Sequence, residues 1–297
     1  MAFMAVSARS EESQFAYVYT TDLLPKGAME LEQTLTWRHQ KSQGEFDDWQ
    51  GTTAFEYGVT DYFQMALYGN YDKASAYHND VDGKTVAPER FADLQVDPDE
   101  RLDALKWVGV SLEGILRLLS PYTDPFGLAV YLEPTWGQGL FELESKLIAQ
   151  KNFLEDRLIL AFNVTMEQEL RLEPGDPTAD PSSEEAAEHW DHGTDLNFGY
   201  AISYRFISNW SLGLELENER EFSSFTLSNE YRSNNATYFG PNIHYGGDHL
   251  YVTVAFLEQL PWGDDFSNPP PGYIVDGRNY ADDFERYRMR IKAGYSF

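Results

Sequence analysis

The 297-residue sequence predicts an all-β, twelve-stranded, antiparallel, up-and-down transmembrane β-barrel, and three observations carry that expectation. Apolar and polar residues alternate with a period of two through one segment after another, down to the closing "ERYRMRIKAGYSF". The connections between segments sort by parity into tight turns and long polar loops. Aromatic residues make up 15% of the chain, yet no apolar run approaches the ~18 residues that a transmembrane helix needs.

The alternating segments are 28–40, 50–58, 62–71, 105–118, 126–136, 140–152, 157–170, 195–206, 210–221, 237–245, 249–259 and 284–297. A period of two belongs to a strand, because successive side chains there point to opposite faces. After the even-numbered segments the links are tight: "VTDY", "SPYTDPF", "FLED", "ISNW" and "GGD". After the odd-numbered ones they are long and polar, at 41–49, 72–104, 171–194, 222–236 and 260–283, with one short exception near Gly137–Gly139. Short turns on one rim and long loops on the other are the pattern of an outer-membrane barrel. An even strand count closes the ring without an open edge and sets both termini at the short-turn, periplasmic rim.

The faces follow from the alternation. Leu31, Leu35 and Trp37 are expected on the lipid side, as are Phe126, Leu128, Val130 and Leu132. Leu158, Leu160, Phe162 and Val164 continue that surface, with Leu196, Phe198, Tyr200, Ile202 and Tyr204 and then Leu250, Val252, Val254 and Phe256. In the last segment Tyr287, Met289, Ile291, Ala293, Tyr295 and Phe297 form the lipid row, opposite Arg286, Arg288, Arg290, Lys292, Gly294 and Ser296. Ahead of the barrel, 28–297, two further regions are expected. Residues 1–8 end in the small-residue pattern of a signal-peptide cleavage site, and 9–27 form a periplasmic segment. Phe15, Tyr17 and Tyr19 alternate within it, so it either plugs the lumen or runs as an extended leader.

Charge and composition exclude several classes. Lys and Arg number 22 against 49 Asp and Glu, a net charge of −27, so nucleic acid is not an expected partner. Cysteine is absent, which removes disulfides, thiol nucleophiles and zinc–thiolate sites. A mean hydropathy of −0.49 is compatible with a barrel, since only alternate strand residues meet lipid.

The terminal "YRMRIKAGYSF" resembles the C-terminal assembly signal of Gram-negative outer-membrane proteins. That resemblance implies recognition of Phe297 by the barrel-assembly machinery and residence in the Gram-negative outer membrane, among its lipid and lipopolysaccharide. "DLLPKGAMELEQTLTWR" and "FGPNIHYGGDHLYVTVAFLEQLPWG" resemble an uncharacterised, domain-of-unknown-function group of such barrels. The second resemblance implies no activity and transfers no catalytic or binding residue.

The inward face carries the candidate functional residues. Arg286, Arg288, Arg290 and Lys292 form a basic wall on the last segment. Glu133, Glu142, Glu144, Glu167 and Glu169, continued by Glu215, Glu217 and Glu219, form an acidic one, and the "FLED" turn is expected to set Glu142 opposite Glu167. A ring of this size has a backbone diameter of roughly 24 Å, from strands ~4.8 Å apart tilted by ~40°. Side-chain reach then leaves about 10 Å unfilled, so direct bridges across the bore are not expected unless something occupies it. Glu30 and Glu32 are expected to pair with Arg290 and Lys292 across the closing seam. The acidic wall reads either as a solvated lining or as one side of a transverse field that orders passing ions.

Other chemistry is sparse. His244 faces inward, but no signature serine accompanies it, as nucleophilic hydrolysis would require. "DDW" at 47–49 and "GDDF" at 263–266 read as solvated loop acids. His189, Asp191, His192 and Asp195 offer a weak metal set, and the Asp-rich stretch 80–101 lacks the glycine placement of a calcium loop. No cofactor, metal or catalytic residue is assigned. The expected function is a monomeric channel for small polar or ionic solutes; the alternatives are a closed structural or surface-interaction barrel and, third, a surface enzyme.

Deleting Phe297 is expected to reduce outer-membrane assembly far more than removing Ser7–Ser13 from a correctly targeted chain. Equal folded yields in membrane fractions would contradict the assembly-signal reading.

Overall fold

The computed structural model describes residues 14–91, 93–94, 96–175, 182, 186–262, 274–275, 277–281 and 284–297; the expected signal remnant and the "GDDF" loop lie outside these. Twelve antiparallel strands close on themselves: β1 (Met29–His39), β2 (Glu45–Thr60), β3 (Phe63–Tyr77), β4 (Leu102–Leu119), β5 (Gly127–Gly137) and β6 (Leu140–Phe153). The ring continues through β7 (Leu158–Glu173), β8 (His189–Ile207), β9 (Trp210–Phe222), β10 (Arg232–Gly246), β11 (Leu250–Gln259) and β12 (Tyr287–Ser296). A two-stranded ribbon, Ile274–Val275 with Arg278–Asn279, decorates the loop between β11 and β12. β1 pairs with β12 from Glu30–Ser296 to His39–Tyr287, so the first and last strands seal the wall.

Strands extend further at the long-loop rim than the sequence suggests. β2 begins at Glu45, which shortens the expected 41–49 loop to five residues, 40–44. The tight β6–β7 turn is built from three successive residues in the left-handed region, Leu154, Glu155 and Asp156, with φ of 55°, 56° and 59°. None is glycine, so this turn holds local backbone strain.

The outer face is apolar and open to its surroundings. Leu105 is 76% exposed, Trp107 61% and Leu132 52%, values that water would penalise and hydrocarbon would not. Trp37 stacks on Trp49 at 5.7 Å near the long-loop rim, and Tyr295 meets Phe297 edge-on at 5.5 Å near the other. These aromatics girdle the belt. One irregularity preserves it: in β4 the register shifts where Asn70 pairs with Gly109 and Tyr71 with Trp107. The extra residue reverses the alternation, so Leu105 and Trp107 point outward below it in sequence and Val110 and Leu112 above it.

At the seam, Tyr251 of β11 lies across Gly294 of β12 and donates to Glu32 of β1, which shares that ladder row. A Cβ on Gly294 would come within 2.1 Å of the Tyr251 ring. Gly294→Val is therefore expected to displace the strap at a cost of about 1–3 kcal/mol. The temperature at which the folded band shifts in detergent gels should fall, and an unchanged temperature would show the strap to be dispensable.

Candidate functional site

The lumen contains part of the chain itself. Residues 15–24 arch through its short-turn half, with Phe15 and Val18 almost fully buried. Gln14 accepts from Ser203 of β8, and Lys26 donates to Asp61 at the short-turn rim, so both feet of the arch stand at one end. Between them the barrel wall satisfies the peptide groups. Glu215, fully buried on β9, accepts from the backbone N–H groups of Ala16, Tyr17 and Val18 at 2.9, 2.8 and 3.1 Å. Asn242 donates to the same carboxylate at 2.7 Å. Three convergent amides hold an anion without a full counter-charge. Asn163 both accepts from Tyr19 N–H at 2.6 Å and donates to Tyr19 C=O at 3.0 Å. Gln150 accepts from Thr21 at 2.7 Å and Gln64 from Leu24 at 2.8 Å.

The basic stripe meets this arch. Arg290 lies 4.1 Å from the Tyr17 ring, donates to Ala16 C=O and reaches Thr36 at 2.8 Å. Lys146 is sandwiched between Tyr19 and Tyr131, 4.2 Å from each ring, and contacts Glu144 at 2.5 Å. Arg288 is buried in a knot of three carboxylates: Glu285 at 2.6 Å, Glu219 at 2.6 Å and Glu217 at 3.2 Å, with the Tyr238 ring 3.6 Å away. Arg286 sits apart from them, over Tyr280 at 3.6 Å.

These contacts correct the expectation of an unfilled bore. Arg288 bridges from β12 to β9 along a chord that skips two strands, and the arch fills much of the space that the walls could not span. At the seam Lys292 pairs with Glu32 at 3.1 Å, whereas Arg290 stands opposite Thr36 rather than Glu30, which accepts from Ser296. The ladder also corrects the acidic pairing: Glu142 faces Glu169 and Glu144 faces Glu167. Carboxylate oxygens of Glu142, Glu167 and Glu169 nevertheless lie within 4.8 Å of one another, with Arg171 2.7 Å from Glu169.

Above the arch is a cavity of ≈ 400 Å³, lined by Glu133, Glu144, Glu167, Asp195, Arg290 and Lys292 among others. The β3–β4 loop leans into its long-loop mouth. There Phe91 is buried against Phe46 and Leu102, and Arg90 reaches Asp72 at 3.5 Å and Glu142 at 3.8 Å. Burial works against the Arg90 charge, but Glu142 and Asp72 outweigh it and hold the guanidinium more firmly protonated than usual. Arg90 escaped the period-two reading because it comes from a loop, and Glu285, expected within segment 284–297 on the parity of the lipid row, turns inward because the strand begins only at Tyr287. His244 is buried and bonds Thr253 at 2.7 Å. Strand alternation sends His192 to the opposite face from Asp191 and Asp195, where it packs on Phe225, so that set does not converge.

A model of DUF6662, described as a family of unknown function, matches residues 7–297. No curated protein matches the sequence. Among solved structures, the translocator domain of the autotransporter NalP from Neisseria meningitidis is similar at 10% identity and TM-score 0.53, over 93% of this chain and 91% of that one. The COG4313 outer membrane channel from Pseudomonas putida F1 is similar at 9% identity and TM-score 0.50, over 93% and 98%. The beta domain of the Bordetella autotransporter BrkA is similar at 10% identity and TM-score 0.50, over 92% and 100%. At these identities the likeness is one of fold: that of a Gram-negative outer-membrane β-barrel.

Arg288→Met leaves three carboxylates without their shared cation, and removing one partner of a buried ion cluster costs about 3–5 kcal/mol. Its gel-shift temperature should fall well below that of Arg286→Met, which among the described residues loses a ring contact with Tyr280. Equal shifts would deny the knot its structural weight.

Proposed function

The chain belongs to the DUF6662 family, whose function is unknown, and we propose that this protein is an outer-membrane channel for small polar or ionic solutes, narrowed by its own residues 15–24. The observation that carries the proposal is the hollow, charged interior. Among the described residues along the cavity the acids outnumber the bases by twelve to nine, Glu32, Glu133 and Glu285 standing among the acids and Arg38, Lys146 and Lys292 among the bases. That excess favours cations in a narrow tube with low-dielectric walls. A barrel that served only as a scaffold would gain more from an apolar, close-packed filling.

The arch supports a second reading. Its peptide groups are bonded to Glu215, Asn163, Gln150 and Gln64, as in a permanent fitting, so the native barrel would be shut. In either case the barrel belongs in the outer membrane as a monomer surrounded by lipid and lipopolysaccharide, delivered by the assembly machinery through Phe297.

Planar-bilayer recordings of the full chain and of a form lacking residues 14–24 test both readings. Small steps from the full chain, rising several-fold after the deletion, are expected. Conduction by the deleted form alone would make the shut barrel the native state, and conduction by neither would overturn the channel. Replacing Glu142, Glu144 and Glu167 together by Gln should shift the reversal potential toward anions, most at 0.01 M salt, where the Debye length is ~30 Å.

A further inference from the structure

The strand register arranges the inward acids in an order that their sequence positions conceal. Glu30 of β1 pairs with Glu56 of β2, which pairs with Ala66 of β3, which pairs with Glu113 of β4. Between the Ser111–Thr135 and Gly114–Leu132 pairs, the same ladder sets Glu113 opposite Glu133 of β5. Glu133 pairs with Glu144, Glu144 with Glu167, Glu167 with Asp195, and Asp195 with Glu221 of β9. From β1 to β9 every strand but one contributes a carboxyl group to a single hydrogen-bonded row.

Because strands in a closed barrel are tilted, such a row climbs as it circles. Glu30 lies beside Met29, the first residue of β1 at the short-turn rim, and Glu221 lies beside Phe222, the last residue of β9 at the long-loop rim. The row therefore traverses the barrel from one mouth to the other. Its lower members Glu30, Glu56 and Glu113 are buried, whereas Glu133, Glu144, Glu167, Asp195 and Glu221 line the cavity.

We propose that this row binds divalent cations, with Glu113 and Glu133 as the step that takes the ion. Side chains opposed across a ladder lie ~5 Å apart at Cβ, a spacing at which two carboxylates can share a calcium-sized ion with oxygens at 2.3–2.6 Å. The local detail fits. Glu113 is 1% exposed, points inward, and has one carboxylate oxygen with no hydrogen-bond partner among the described residues, while Tyr68 donates to the other. A buried oxygen left bare in this way is costly, and a cation would satisfy it. Its neighbour Glu133 accepts from Tyr131 and faces the cavity, which gives an ion a way in. Of the nearby cations, Lys146 makes its ion pair with Glu144 and Lys292 with Glu32. As a route for permeation the row rests on the channel reading; as a binding site it does not.

Tyr68 and Tyr131 provide an internal probe, since both touch the carboxylates of this step and can sensitise Tb³⁺ emission. Full-length barrel in detergent should give saturable Tb³⁺ emission that Ca²⁺ displaces. Glu113→Gln with Glu133→Gln should weaken Tb³⁺ binding roughly tenfold or more, because affinity follows the number of charged ligands. Glu230→Gln, in an exposed loop, should leave it unchanged. Glu133→Gln alone, on the cavity side, reports the same loss if the double variant fails to give a folded band. Absence of sensitised emission from the native barrel, or undiminished binding in the folded variants, would overturn the proposal. Binding is read without conduction, so a barrel that binds Tb³⁺ but never conducts sinks only the channel, and one that conducts without binding sinks only the row.

Discussion

Everything in this molecule depends on the pairing of β1 with β12. In hydrocarbon a peptide group has no water to bond, so a sheet with two free edges would expose a row of unpaired donors and acceptors on each. Ten ladder pairs, Glu30–Ser296 to His39–Tyr287, remove both edges at once. Closure fixes the register of every other strand, and register decides which residues look outward. The apolar belt, the polar bore and the climbing row of acids are all consequences of where the two end strands meet. The contacts around that join reflect its importance: Tyr251 crosses Gly294 to Glu32, Lys292 pairs with Glu32, and Ser296 donates to Glu30.

Inside the ring the problem is charge. Carboxylates and guanidinium groups removed from bulk water need partners, and the barrel supplies them in two ways. Arg288 shares itself among Glu217, Glu219 and Glu285. Glu215 takes its partners from the main chain of residues 16–18 and from Asn242. In the second arrangement the arch and the wall need each other: without the segment a buried anion would lose three donors, and without Glu215 three amides would lose their acceptor.

The strands were legible because lipid leaves so little freedom. All twelve appear in the sequence as alternation, down to the short exceptional link at Gly137–Gly139, since every second residue must be apolar over the thickness of the belt. Features that depend on a count of residues rather than a pattern were not legible. The extra residue in β4 and the turn at Leu154–Asp156 each move a register, and the latter puts Glu142 opposite Glu169 instead of Glu167. The interior partners were hidden for another reason. Arg90 and residues 15–24 reach the lumen from connecting or terminal segments, whose polar residues look like any solvated loop until the wall opposite them is known. Glu285 was hidden by a strand expected to start at 284 that starts at Tyr287. Phe15, Tyr17 and Tyr19 did carry a signal, an alternation with no neighbouring strand to explain it.

Because the arch enters and leaves by the same rim, it is not threaded through the barrel. A pull on the chain ahead of Gln14 would meet Ser203 first, then Glu215, then Asn163, Gln150 and Gln64 in turn. Such a load peels contacts singly, as a zip opens, and needs little force. Pressure from the opposite mouth would press on all of them together and meet their combined resistance. The same contacts thus meet a pull at the short-turn rim one at a time and a push from the long-loop rim all together.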